Sequence, residues 1–171
     1  IQSGSWAAIA PDGSVWFTES STRIPFEHYP AAFLEHNPSG RLLRWDPTTG
    51  EVDVALENLD FPNGLTVAPD GQSLILVETA GYRISRVELD AAGQIGAVPN
   101  LPGFPDNLSV FRGGRAWLAF TNPRSTAVDD AGRMPGWLRT AIWNWMPESL
   151  LPRPRTIVWL RSITSDGHVV D

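Results

Sequence analysis

One short pattern recurs three times along the chain and limits sharply what it can fold into. It reads Ser5-Trp-Ala-Ala-Ile-Ala before Pro11-Asp12-Gly13, then Asn63-Gly-Leu-Thr-Val-Ala before Pro69-Asp70-Gly71. The third copy is Asp106-Asn-Leu-Ser-Val-Phe before Arg112-Gly113-Gly114. An apolar run follows each turn: Ser14 to Thr18, Ser73 to Glu78 and Arg115 to Phe120. Strand, glycine-containing turn and strand predict a β-hairpin. Hairpins repeated at intervals of roughly 40–60 residues are the signature of a solenoid or β-propeller. In a radial array, equivalent residues face one axis, so Ser5, Asn63 and Asp106 are expected to converge.

Each hairpin predicts a unit of about four strands. The first adds Arg41–Asp46 and Glu51–Leu56, joined by the turn Asp46-Pro-Thr-Thr-Gly50. The second adds Tyr82–Leu89 and a weak strand near 94–98. The third pairs 106–111 and 115–120 with Thr156–Arg161 and His168–Val170. The expected blades are residues 5–60, 61–104 and 105–171, in one all-β propeller domain interrupted by two insertions. Three blades leave bare sheet edges, whereas rings close with four to eight. The remaining blades are therefore expected outside this segment, and the isolated chain is expected to fold poorly.

The insertion at 20–40 carries Pro25, Pro30 and Pro38 and reads as a loop with one short helical turn. The second, a helical insertion at 135–147, places Leu138, Ile142, Trp145 and Met146 at helical spacing between Pro135 and Pro147. Two roles fit this 136–146 helix. It packs over the end of the propeller as a lid, or it sets Trp137, Trp143 and Trp145 into a lipid interface as a peripheral membrane contact.

Composition narrows the function classes. The formal net charge is -6 and no Cys occurs. A disulfide scaffold and a thiolate metal site are thus excluded. Only Arg153–Arg155 forms a basic cluster, which is no footprint for nucleic acid. No run of 18 apolar residues is present, so no transmembrane helix is expected.

The ordered segments VWFTESSTR, FLEHNPSGRLLRWDPTTGEVDVALENLDFPNGLTVAPDGQSLILVETAGYRISRVEL and LPGFPDNLSV carry a further message. Together they resemble the strictosidine-synthase-like family over about Ser14 to Val170. That resemblance implies a six-bladed propeller, of which this chain supplies about three blades. It also implies kinship with gluconolactonases, paraoxonases and diisopropylfluorophosphatase, many of which hold Ca²⁺ or a related divalent ion in the channel. Superfamily hydrolases place Asn where Asn63 stands and Asp, often Asp-Asn, where Asp106-Asn107 stand. The resemblance therefore implies Asn63, Asp106 and Asn107 as metal ligands and Asp106 as the catalytic carboxylate. Oxygen-only ligation suits a hard cation. Strictosidine synthase proper lacks that Asn and Asp and works without a metal.

Two departures matter. Ser5-Trp6 stands where the hydrolases carry Asn before an acidic residue, and the family's metal-binding Glu is expected in a blade before Ile1. The expected activity is hydrolysis of small, neutral or apolar esters or lactones, arylesterase- or lactonase-like. The alternatives are a metal-free condensing enzyme like strictosidine synthase and a non-catalytic binding propeller.

Other polar residues read as structural. Glu78 and Glu19 are expected to bond across blades, with pocket lining the alternative. His28, His36 and His168 read as surface residues, although the first two lie on an insertion that could overhang the channel. Ser20-Ser21 has no nucleophile-elbow context.

Overall fold

In the computed structural model, the described residues are 4–24, 33, 38–90, 94–145 and 157–170. Three four-stranded antiparallel sheets follow one another along the chain. The first holds β1 (Gly4–Ile9), β2 (Val15–Glu19), β3 (Gly40–Trp45) and β4 (Val52–Leu59). The second holds β5 (Pro62–Val67), β6 (Ser73–Glu78), β7 (Arg83–Glu88) and β8 (Gln94–Val98). The third holds β9 (Gly103–Leu108), β10 (Arg115–Pro123), β11 (Trp159–Thr164) and β12 (Val169–Val170). Strands β1, β5 and β9 lie side by side, so the sheets are three blades of a propeller with their first strands innermost.

The repeated turns fold alike because they carry the same chemistry. Asp12 Oδ1 accepts from Ser14 N at 2.9 Å, and Asp70 Oδ1 accepts from Ser73 N at 3.1 Å. Gly13 and Gly71 supply the left-handed step, at φ +85° and +67°. Each Asp also meets an Arg on the third strand of its blade: Arg44 pairs with Asp12 and Arg86 with Asp70.

Blade packing explains the hydropathy of the strands. Trp16 and Leu42 from the first blade bury against Leu65, Leu74 and Leu76 of the second. On its other side the second blade sends Ile75, Val77 and Ile84 against Leu118, Phe120 and Ile163 of the third. All six residues of β6 are buried, so it reads as one apolar run rather than an alternation. The outward face of the first blade carries cross-strand rows such as Ile9–Val15–Trp45–Val52. Ile9 and Val52 at one end, and Trp117 and Leu160 on the third blade, are exposed.

Three expectations require correction. Strand β9 starts at Gly103, three residues before the expected start at Asp106, and β11 starts at Trp159 rather than Thr156. The register is fixed instead by stacking of Trp159 on Phe120, ring centroids 4.9 Å apart. The second insertion contains two described helices, not one: α1 (Thr126–Gly132) and α2 (Gly136–Trp145). Ser125 caps α1 by accepting from Val128 N. Trp145, read as part of an apolar helix face, is 86% exposed. His28, His36 and Met146, the side chains of Ser5 and Trp143, and the expected helical turn apart from Phe33 lie outside the described residues.

Candidate functional site

Register places the three innermost strands in the same relation to their neighbours. Gly4 pairs with Glu19, Pro62 with Glu78 and Pro105 with Phe120. In each strand the register then slips, leaving residues 5–6, 63–64 and 106–107 as an extra-residue bulge. A bulge bends a strand and re-aims side chains out of the regular alternation. The repeated sequence positions are thus the bulged ones, and that local geometry turns Asn63 and Asp106 towards each other.

These two side chains meet across the junction of the second and third blades. Asn63 Nδ2 donates to Asp106 Oδ1 in a short contact, and it also lies 3.5 Å from Thr79 Oγ1. Burial pushes the Asp106 carboxyl above its usual range, and the Asn63 hydrogen bond offsets only part of that. Asn107, the second bulge residue, has a buried Oδ1 with no hydrogen-bond partner among the described residues. Such an orphaned acceptor calls for a ligand or water.

Two devices hold this pair in place. Gly64 lets the strands approach: a Cβ there would sit 2.6 Å from Asp106 O and 2.7 Å from Asn107 Cα. From the first blade, the buried Thr18 hydroxyl donates to Asn63 O at 2.9 Å and accepts from Trp6 N at 3.1 Å. Thr18 so ties the first bulge to the second. Ser20 Oγ donates to Pro62 O at 2.9 Å, which assigns Ser20 to structure rather than nucleophilic chemistry. Ser21 Oγ accepts from Ile24 N at 2.9 Å, a local turn role.

An aromatic cluster lies just before the bulges on β5 and β9. Phe33, from the first insertion, packs on Phe61 and Phe104 with centroids 4.9 and 5.3 Å apart, and Tyr82 lies 4.7 Å from Phe104. Phe61 precedes Pro62-Asn63 and holds φ +54°, a sparsely populated conformation for a bulky side chain. Its carbonyl accepts from Thr79 N at 3.0 Å, which fixes Thr79 beside Asn63. Sequence reasoning missed Thr18, Phe33, Phe61 and Thr79. Thr18 and Thr79 carried one signal: both sit next to the Glu that ends the second strand of their blade.

Those Glu residues are structural, as read from the sequence. Glu78 is fully buried and accepts from Arg83 Nε at 2.8 Å, Ser85 Oγ at 2.7 Å and Asp60 N at 2.9 Å. Burial pushes its pKa up, but these hydrogen bonds and the Arg83 charge win, and the carboxyl titrates below its usual range. Glu19 repeats the arrangement with Arg41, Nε to Oε2 at 2.9 Å. The register pairs Glu19 with Arg41 and Glu78 with Arg83, and the third blade substitutes the Phe120–Trp159 stack. His168 is exposed at a turn near Asp166, at 3.6 Å.

Chemically, the bulges present one carboxylate and two amides. No group of three or more His, Cys, Asp or Glu comes together among the described residues. As ligands, the Asp106 carboxylate and the two Asn amides offer oxygen alone and fit part of the shell of a hard divalent ion, with the Asn107 Oδ1 orphan as the observation in favour.

Comparison with known proteins bears on family and fold. A family model described as strictosidine synthase matches residues 7–91. Adipocyte plasma membrane-associated protein of Danio rerio is 36% identical over 174 residues, covering 95% of this chain and 41% of its own length. The chain thus spans less than half of this curated relative. Among solved structures, a gluconolactonase from Xanthomonas campestris superposes with TM-score 0.58 at 20% identity, over 99% of this chain and 46% of that one. A calcium-binding protein, regucalcin, from Agrobacterium tumefaciens gives 0.51 at 21% identity, over 68% of this chain and 38% of that one. At these identities the structural likeness is one of fold.

Proposed function

We propose, from the premise that this chain belongs to the strictosidine synthase-like family, that it contributes the Asn63–Asp106–Asn107 part of a hydrolytic site for small esters or lactones. The carrying observation is the contact of Asn63 with Asp106 across a blade junction, together with the unpartnered Oδ1 of the adjoining residue Asn107. The gluconolactonase and calcium-binding names of two propellers of like fold support this reading without deciding it.

A divalent ion, if bound there, would supply a Lewis acid for an ester carbonyl and its oxyanion. Asp106 and the Asn107 and Asn63 carbonyl oxygens would hold it. To ligate through oxygen, Asn63 turns its amide over, exchanging Nδ2 for Oδ1 without displacing the backbone. Asp106 would also be the carboxylate available to accept a proton from attacking water. Phe61 and Phe104, with Phe33 packed on them, lie just before the bulges of β5 and β9, and such apolar surroundings would favour uncharged substrates.

The test is hydrolysis of phenyl acetate and of a lactone with Ca²⁺, with chelator, and in Asp106→Asn. Chelator-sensitive activity that vanishes in the variant supports the reading. A second reading, metal-free condensation as in strictosidine synthase, is favoured by the family match at 7–91. Activity indifferent to chelator would select it, and an intact fold with no activity would select a binding propeller.

A further inference from the structure

Two neighbours face the Asn63 amide nitrogen: Nδ2 meets Asp106 Oδ1 and lies 3.5 Å from Thr79 Oγ1. Thr79 is buried, and its backbone is fixed on both sides. Its N–H donates to Phe61 O at 3.0 Å, and its carbonyl accepts from Tyr82 N at 3.4 Å. Phe61 and Tyr82 both hold left-handed backbone, at φ +54° and +49°. Such conformations in bulky residues persist only where the surroundings enforce them, and they cluster at functional sites. The first blade offers a comparison. There Ser20 follows Glu19 as Thr79 follows Glu78, and Ser20 Oγ donates to the backbone carbonyl of Pro62 in the next blade. In the second blade the corresponding hydroxyl faces the Asn63 side chain instead.

Of these two neighbours, only Thr79 serves either face of the amide. An ionised Asp106 accepts and cannot donate, whereas a Thr hydroxyl does both. With Nδ2 towards it, Thr79 accepts. With the amide turned over, Oδ1 stands where Nδ2 stood and Thr79 donates to it. We propose that Thr79 is a positioning residue for the Asn63 amide, its hydroxyl bonding the donor orientation and the ligand orientation alike. The amide then turns its oxygen towards Asp106 without giving up its Thr79 bond. Residues that hydrogen-bond a metal ligand from behind typically carry tenfold or more in metal affinity. The positioning stands on the contacts of Asn63 and Thr79; only its use in ion binding rests on the metal-dependent reading above.

The experiment compares the native protein with Thr79→Val, Thr79→Ser and Ser20→Ala. Valine keeps the shape of threonine and removes the hydroxyl. Calcium affinity is measured by titration calorimetry. The Asn63 side-chain amide resonances, assigned by their loss in Asn63→Ala, are followed by NMR in the ion-free proteins. The expected affinity is about tenfold weaker in Thr79→Val and restored in Thr79→Ser. Ser20→Ala cuts a tie between the first two blades, so it should lower the unfolding midpoint and leave calcium affinity unchanged. In the ion-free protein an Asn63 amide proton should shift and exchange faster in Thr79→Val, and return in Thr79→Ser. Native calcium affinity in Thr79→Val, or an equal loss of affinity in Ser20→Ala, would overturn the proposal. If the native protein binds no calcium, the metal-dependent reading fails by itself and the amide resonances decide the role of Thr79. A shift in Thr79→Val that Thr79→Ser reverses upholds it, and unchanged resonances overturn it.

Discussion

Replacing Gly64 by Ala should disable the candidate site and weaken the fold by a single steric route. The added Cβ would lie 2.6 Å from Asp106 O, 2.7 Å from Asn107 Cα and 2.7 Å from Leu108 N. All three are backbone atoms of β9, so no side-chain rotation relieves the overlap. Carbon contacts are comfortable from about 3.5 Å, so β9 must withdraw by close to ~0.8 Å. Overpacking of this kind costs about 1–3 kcal/mol. With a urea slope of ~2 kcal/mol/M the unfolding midpoint should drop by about 0.5–1.5 M. Asp106 moves with its own carbonyl, and a displacement near 1 Å at a reacting group can cost about 100-fold in rate. Urea melts and phenyl acetate hydrolysis, run on Gly64→Ala and on Gly96→Ala as control, provide the readouts. At Gly96 an added Cβ meets nothing within 4 Å, and that variant should match the native protein. A Gly64→Ala protein with unchanged midpoint would refute the claim that glycine is what brings β5 and β9 together.

Thr18→Val should cost about 1–3 kcal/mol, because Trp6 N loses its hydroxyl acceptor and Asn63 O its donor, and Thr18→Ser should restore most of it in the same urea melts. Glu78→Gln leaves Arg83 without its buried countercharge and should destabilise by roughly 2–4 kcal/mol, less than a fully buried pair because Arg83 reaches solvent. Glu78 titrates below its ordinary 4.5 in the fold, so its stabilisation is complete above about that pH and drains as pH falls through the lower folded value. Glu78→Gln should accordingly flatten the acid limb of a stability-versus-pH curve. Asp106 has the opposite sign: its folded pKa is raised, so its ionised form opposes folding at neutral pH. Without added ion, Asp106→Asn should therefore be at least as stable as the native protein at pH 7. A clear loss of stability there would assign Asp106 a structural role instead.

The repeats made the hairpins and their equivalence legible, since Pro-Asp-Gly and the run of apolar residues in β6 each have a local physical meaning. The juxtaposition of Asn63 and Asp106 followed from that equivalence. The bulges were not legible, because an extra residue in a strand leaves no compositional trace unless it is a glycine, as only Gly64 is. The starts of β9 and β11 were misplaced by three residues. Gly103 and Pro105 are poor strand formers on propensity, and the pairing of β11 depends on a contact between Phe120 and Trp159 that no local pattern reveals. Helix α1 escaped notice because TAVDDAG has little apolar periodicity; its Ser125 cap was the available signal. The aromatic cluster was out of reach as well, for it joins Phe33, Phe61, Tyr82 and Phe104 from four separate stretches.

Calcium binding measured by titration calorimetry on the native protein and on Asp106→Asn tests the central claim most directly. The account predicts a saturable site in the native protein that disappears in the variant while the fold persists. Heat of binding that is identical in both proteins, or absent from the native one, would contradict it.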